Sequence, residues 1–161
     1  MKKLAVAFTG PSNSGKTTLI VKLSEYLQDQ GFKVCIIKHD PKDKATFDKE
    51  GKDSYKFSQT KADVAVVSPN KTTLFKQSTS SIDDMVELFG EFDYLLVEGL
   101  KTLPLPRIAI FRNEINEDYL CVSDAIASDE TIKEIPKSHE HLDLNNISKI
   151  AQWIEKNAKK L

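Results

Sequence analysis

Apolar positions along the chain fall into two alternating patterns. Short unbroken apolar runs occur at Leu4–Thr9, Val34–Lys38, residues 94–97, Arg107–Phe111 and residues 120–122. Such runs, bounded by polar or glycine-containing segments, predict strands buried on both faces. Within Lys16–Asp29, Leu19, Ile20, Leu23 and Leu27 recur at helical spacing, and Gly31 supplies the stop. The first strand, this helix and the second strand make a βαβ unit, whose crossover sets the strands parallel. From residue 40 to residue 61 the pattern changes to dense Lys and Asp. Residues 41–51 read as a polar loop, and a short helix starts near Asp53, capped by Asp53 or Ser54. Val64–Ser68 and residues 72–76 predict two short strands around the turn Pro69-Asn70-Lys71. Ser81 and Asp84 form a capping-box pattern before Ile82, Met85, Val86 and Phe89. Leu144, Ile147, Ile150, Ala151 and Ile154 mark a last amphipathic helix, with Asp143 as its cap. The alternation predicts an α/β fold, a mainly parallel sheet flanked by helices, in a single domain over residues 1–161.

Composition narrows this picture. At 161 residues with 40% apolar and 29% charged positions, the chain is long enough to bury a core without disulfide or metal staples. Its net charge of −1 argues against a nucleic-acid coat, so no nucleic-acid partner is expected. No apolar run approaches the ~20 residues of a membrane span. The start Met1-Lys2-Lys3 is followed by an apolar run too short for a secretory signal, so a cytoplasmic location without membrane contact is expected. Cys35 and Cys121 lie in apolar runs and are expected to be buried free thiols. His139 and His141 are expected in a solvated loop. Of the 23 basic residues only Arg107 and Arg112 are arginine.

One segment carries chemistry. Gly10-Pro11-Ser12-Asn13-Ser14-Gly15-Lys16-Thr17 fits the phosphate-binding pattern G-x-x-x-x-G-K-[ST], continues into Thr18, and stands between a predicted strand and a predicted helix. Glycines let the backbone wrap so that consecutive N–H groups converge on phosphate oxygens, and the helix start adds its positive dipole end. Lys16 is the candidate for the β- and γ-phosphates and Thr17 for Mg²⁺. Such a site uses a carboxylate at the end of a buried strand. Two candidates stand, Glu98 after Tyr94-Leu95-Leu96-Val97, and Asp40 after Val34-Cys35-Ile36-Ile37-Lys38-His39. Asp93 lies at the opposite strand end and reads as structural.

These blocks, with Gly51-Lys52-Asp53-Ser54, Val97-Glu98-Gly99-Leu100-Lys101 and Ala125-Ile126-Ala127-Ser128-Asp129, resemble the MobB family of molybdopterin-guanine dinucleotide biosynthesis adaptor proteins. The resemblance runs from Lys3 to Trp153. It implies a dimeric GTP-binding P-loop protein, at most a slow Mg²⁺-dependent GTPase, that assists a MobA-type molybdopterin guanylyltransferase in joining GMP to molybdopterin. It also draws attention to His39, Lys52, Asp53 and Lys101 as contacts for nucleotide or molybdopterin phosphate. Each has an ordinary alternative: a strand-end histidine, a loop-to-helix cap, a surface lysine. Asp40-Pro41-Lys42-Asp43 stands where many members carry further histidines, and Lys61-Ala62-Asp63 replaces a small-residue segment. Asn70-Lys71-Thr72-Thr73 lacks the final Asp of the guanine-reading Asn-Lys-x-Asp motif and reads as a turn, so GTP rests on the resemblance. The competing functions are a small-molecule kinase using the same loop and a non-enzymatic nucleotide-binding regulator. The scarcity of arginine for a kinase-type lid favours the adaptor.

Overall fold

The computed structural model describes residues 1–161. In chain order the elements are β1 (Leu4–Thr9), α1 (Lys16–Asp29), β2 (Val34–Lys38), α2 (Asp53–Ser58), β3 (Val64–Ser68), β4 (Lys71–Phe75), α3 (Ile82–Phe89), β5 (Tyr94–Glu98) and β6 (Arg107–Phe111). A 3₁₀ turn (Glu117–Val122), β7 (Ala125–Ser128), β8 (Glu140–Asp143), α4 (Ile147–Asn157) and β9 (Lys159–Lys160) follow. They form two compact units, residues 1–39 with 91–161, and residues 40–90.

The first unit is a sheet in the order β2-β5-β1-β6-β7-β8. These strands pair in parallel, and β9 adds an antiparallel pairing to the start of β1. β1, β5 and β6 sit centrally, which is why their sequences are apolar at nearly every position. On one face Val6, Phe8, Leu96, Ile108 and Ile110 pack with Leu19, Leu23 and Leu27 of α1 and Ile150, Trp153 and Ile154 of α4. On the other, Ala109, Phe111 and Ile126 pack beneath Ile115, Tyr119, Leu120, Ile132 and Ile135. α1 ends as its sequence predicts: Gly31 takes φ +84°, its N–H donates to Gln28 O, and the Phe32 N–H donates to Leu27 O. Asp93 is structural, its carboxylate accepting the Lys2 and Lys33 N–H groups at 2.9 and 3.0 Å.

The second unit holds the antiparallel β3–β4 hairpin with α2 and α3. Pro69 and Asn70 occupy its turn, but Lys71 is already the first residue of β4, paired with Ser68, so that strand starts and ends one residue earlier than expected; the Ser81–Asp84 capping box is formed. No helix of the chain is long and apolar enough to cross a membrane.

Four other local expectations need correction. Residues 120–122 form part of a 3₁₀ turn rather than a strand, because Asn116 caps that turn by accepting the Asp118 N–H. The strand beside β6 is instead Ala125–Ser128. Asp143 ends β8, and Asn146 caps α4 by accepting the Lys149 N–H. Lys52 is the N-cap of α2, and Asp53 is already its first helical residue. Cys121 is exposed on the 3₁₀ turn and Cys35 only half-buried, so neither is a core thiol.

Candidate functional site

The loop from Gly10 to Gly15 leaves the end of β1 and turns directly into α1. Gly10 has φ +139°, and a Cβ there would stand 2.3 Å from the Ile110 carbonyl oxygen, so only glycine fits. Gly15, at φ +98°, is the N-cap of α1 and offers no side-chain cap. No acidic residue stands in the first helical turn. The orphan N–H donors of that turn and the positive end of the helix dipole therefore face the loop uncompensated. The Ser14 hydroxyl is buried without a hydrogen-bond partner.

A cleft of about 460 Å³ opens over this loop. Lys16, Thr17, Lys38, Glu98 and Arg112 all line it. The Lys16 ammonium donates to the carbonyls of Gly10 (2.9 Å) and Pro11 (2.6 Å). Its pKa is lowered, first by desolvation and then by the neighbouring Lys38, while Glu98 opposes the shift. Glu98 is carried there by register, since Phe8, at the end of β1, pairs with it across the β1–β5 ladder. Lys38 pairs with Glu98 from β2, and their charges approach to 3.8 Å. Three cations and one carboxylate thus surround a helix N-terminus, an arrangement suited to a polyanion.

Glu98 and Thr17 are hard oxygen donors in one cleft, the set that suits Mg²⁺, which keeps water and phosphate oxygens for its other positions. No group of three or more His, Cys, Asp or Glu side chains is arranged to hold a metal.

Arg107 is the largest fully buried side chain, 1% exposed. Its guanidinium donates to the carbonyls of Gly99 (3.0 Å), Leu100 (3.0 Å) and Leu103 (3.1 Å). Desolvation lowers its pKa and Asp124 opposes this. Arg107 therefore clasps the turn that follows Glu98, where Leu100 sits at φ +50°, a conformation non-glycine residues seldom adopt.

The remaining sequence candidates divide. The His39 N–H donates to Glu98 O at 3.0 Å, and its Cβ would lie 3.2 Å from a Cβ placed on Gly99. The Lys101 ammonium rests 3.7 Å from the centroid of the Tyr119 ring, a cation–π contact. Asp40, Lys52 and Asp53 belong to the second unit. There the Asp40 carboxylate accepts the N–H groups of Lys42, Lys44 and Ala45, and Asp53 pairs with Lys56 at 3.4 Å. His141 lies on β8 against the Ser128 hydroxyl (2.9 Å), and His139 meets Leu120 O at 3.1 Å, so neither stands in an open loop without a partner. Arg112 is the site residue that sequence reading misses. Its guanidinium stands 3.2–3.4 Å from where a Gly15 Cβ would be. No local motif marks it, since the contact joins the end of β6 to the start of α1.

The family model described as "Molybdopterin guanine dinucleotide synthesis protein B" matches residues 5–130. The chain belongs to the MobB family. Among its relatives, the molybdopterin-guanine dinucleotide biosynthesis adapter protein of Haemophilus influenzae is 30% identical over 93% of this chain and 86% of its own length. A protein of Bacillus subtilis named as a probable adapter of the same kind is 31% identical over 85% of this chain and 82% of its own. The fold agrees: the crystal structure of Bacillus subtilis MobB superposes with a TM-score of 0.76 at 24% identity, covering 96% of this chain and 98% of that one. A LAO/AO transport system kinase superposes at 0.54 and 13% identity, covering 97% of this chain and 59% of that one, which shows the wider P-loop α/β architecture.

Proposed function

We propose that the chain is a GTP-binding adaptor that assists a MobA-type guanylyltransferase in attaching GMP to molybdopterin. It acts as a cytoplasmic homodimer with at most slow GTPase activity of its own. The observation that carries this reading is the convergence of Lys16, Thr17 and Glu98 on one cleft over the α1 N-terminus, in a chain of the MobB family.

In this reading residues 10–18 wrap the phosphates, with Gly10, Ser12, Asn13, Ser14, Gly15 and Thr18 offering backbone N–H groups and Pro11, which has none, shaping the loop. Lys16 leaves its two loop carbonyls for phosphate oxygens. Thr17 and Glu98 hold Mg²⁺, with Asp40 the alternative carboxylate; the ion supplies charge neutralisation between phosphate oxygens. Arg107 fixes the Glu98 turn from below. His39, Lys52, Asp53 and Lys101 are available to nucleotide or molybdopterin phosphate. The cations stabilise bound triphosphate, but hydrolysis also needs an oriented water. A turnover on the order of 10⁻⁴ to 10⁻² per second is therefore expected for the protein alone, the upper figure being that of a P-loop GTPase with its arginine in cis.

The test is a reconstituted guanylyltransferase reaction with and without this protein, run beside single-turnover GTP hydrolysis. Stimulated dinucleotide formation with slow hydrolysis supports the proposal. Phosphorylation of a small acceptor at the ~1–100 per second of kinases would replace it with the kinase reading.

A further inference from the structure

Arg112 follows β6 and is half-exposed at the mouth of the cleft just described. Its charge partner is Asp129, Nε to Oδ2 at 3.8 Å, beyond hydrogen-bond length. Asp129 does not depend on that pair. Its carboxylate accepts both the Thr131 N–H (3.1 Å) and the Thr131 hydroxyl (2.5 Å), and these hydrogen bonds are the main cause of its lowered pKa, with Arg112 a minor one. The contrast with Arg107 is direct, since that guanidinium is committed to three carbonyls.

Position gives Arg112 its meaning. The guanidinium lies against Gly15, where a Cβ would stand 3.2–3.4 Å from it and crowd it. It also stands where the large cleft meets a second one of about 190 Å³, which Asp129, Thr131 and Asn145 line. Gly15, Thr18 and Arg112 are shared by both. A nucleotide whose phosphates lie on residues 10–18 and whose nucleoside enters the smaller cleft passes beneath this guanidinium. A planar fork with charge and several donors suits a phosphate chain better than an ammonium does.

We propose that Arg112 is a ligand-contacting residue of this site, binding the phosphate chain of a nucleoside triphosphate at the corner formed by Gly15 and Thr18 and exchanging its loose pair with Asp129 for phosphate oxygens. The inference rests on the reading of residues 10–18 as the phosphate loop. It is tested by equilibrium binding of GTP and of ATP, each with Mg²⁺, to the full-length protein and to Arg112→Gln, Arg112→Lys and Lys16→Ala. Arg112→Gln is expected to weaken the preferred nucleotide about tenfold to a hundredfold, the range for a lost charge-assisted hydrogen bond. Arg112→Lys recovers part of that loss, and the unfolding temperature without nucleotide stays at the parent value. Binding within twofold of the parent in Arg112→Gln, while Lys16→Ala loses binding, overturns the inference and leaves the loop reading intact. Equal binding by the parent and Lys16→Ala, or no binding by either, overturns both. A drop in nucleotide-free stability in Arg112→Gln, with stability and affinity both fully restored by Arg112→Lys, assigns Arg112 to pairing with Asp129 and also overturns it.

Discussion

Replacing Arg107 by Met tests how the turn after Glu98 is held. Met retains much of the side-chain volume and removes the guanidinium, which is 1% exposed and bonded to Gly99 O, Leu100 O and Leu103 O. Each hydrogen bond to a charged group contributes about 1.5–3 kcal/mol, but the three share one cation and do not add. Two effects offset part of the loss. The three residues bearing the carbonyls are only half-buried, so water can reach the turn, and Met avoids the cost of desolvating a cation. A net destabilisation of about 2–4 kcal/mol follows, within the usual cost of removing one partner of a buried polar network. For a chain of this size that lowers Tm by roughly 4–16 °C. Arg107→Lys should fall between, because one ammonium cannot span three carbonyls. The assay is urea unfolding of the three proteins, with a Mg²⁺ titration of nucleotide binding alongside. Arg107→Met should need more Mg²⁺, since Gly99, at φ +89°, and Leu100 follow Glu98 directly. A variant within about 0.5 kcal/mol of the parent, as for an ordinary surface change, would refute the clasp.

Three further outcomes are expected. Glu98→Gln keeps shape and removes charge, so the Mg²⁺ requirement of hydrolysis should rise roughly tenfold or more; an unchanged titration moves the role to Asp40. Asp93 has its pKa lowered, first by the Lys33 N–H, so its stabilisation is present above its unfolded pKa of about 3.9 and is lost as pH falls through the folded value. Asp93→Asn should therefore lower the urea midpoint at pH 7, with an effect that fades below about pH 4 and vanishes only once pH has fallen through the lowered folded pKa; a gap that persists below it contradicts this. Residues 41–52 form no helix or strand and nearly all are exposed. Their amides should exchange within seconds, apart from those with an acceptor in the segment: Lys42, Lys44 and Ala45 on the Asp40 carboxylate, Asp43 on Asp40 O, Lys49 on Asp48 and Lys52 on Lys49 O; protection matching β1 would argue against this.

Legibility in the sequence followed the range of each interaction. β1, α1 and the loop between them are one contiguous signal, strand then glycine loop then amphipathic helix, so the fold class and the loop's place at the start of α1 could both be read. Glu98 was legible because a carboxylate ending a buried run is a local pattern. β8 was not, because only Leu142 among its residues is buried and Glu140, His141 and Asp143 look like loop. Residues 120–122 looked like a strand because three apolar residues carry no periodicity, and the capping by Asn116 decides otherwise. Arg112 escaped because its contact with Gly15 depends on β6 pairing with β1, a long-range relation that no spacing encodes. Counting arginines correctly showed their scarcity, yet both of them serve this site: Arg107 holds the turn after Glu98, and Arg112 lies on the loop's last glycine.

Calorimetric titration of GTP with Mg²⁺ into the parent and into Lys16→Ala tests the central claim most directly. Lys16 reaches only Gly10 O and Pro11 O within the protein, so its removal should leave the fold intact while taking the principal cation from the cleft. The account predicts clear binding by the parent and a loss of about a hundredfold or more in the variant, the combined effect of a lost charge and its hydrogen bonds. Equal affinity in the two proteins, with both folded, would contradict it.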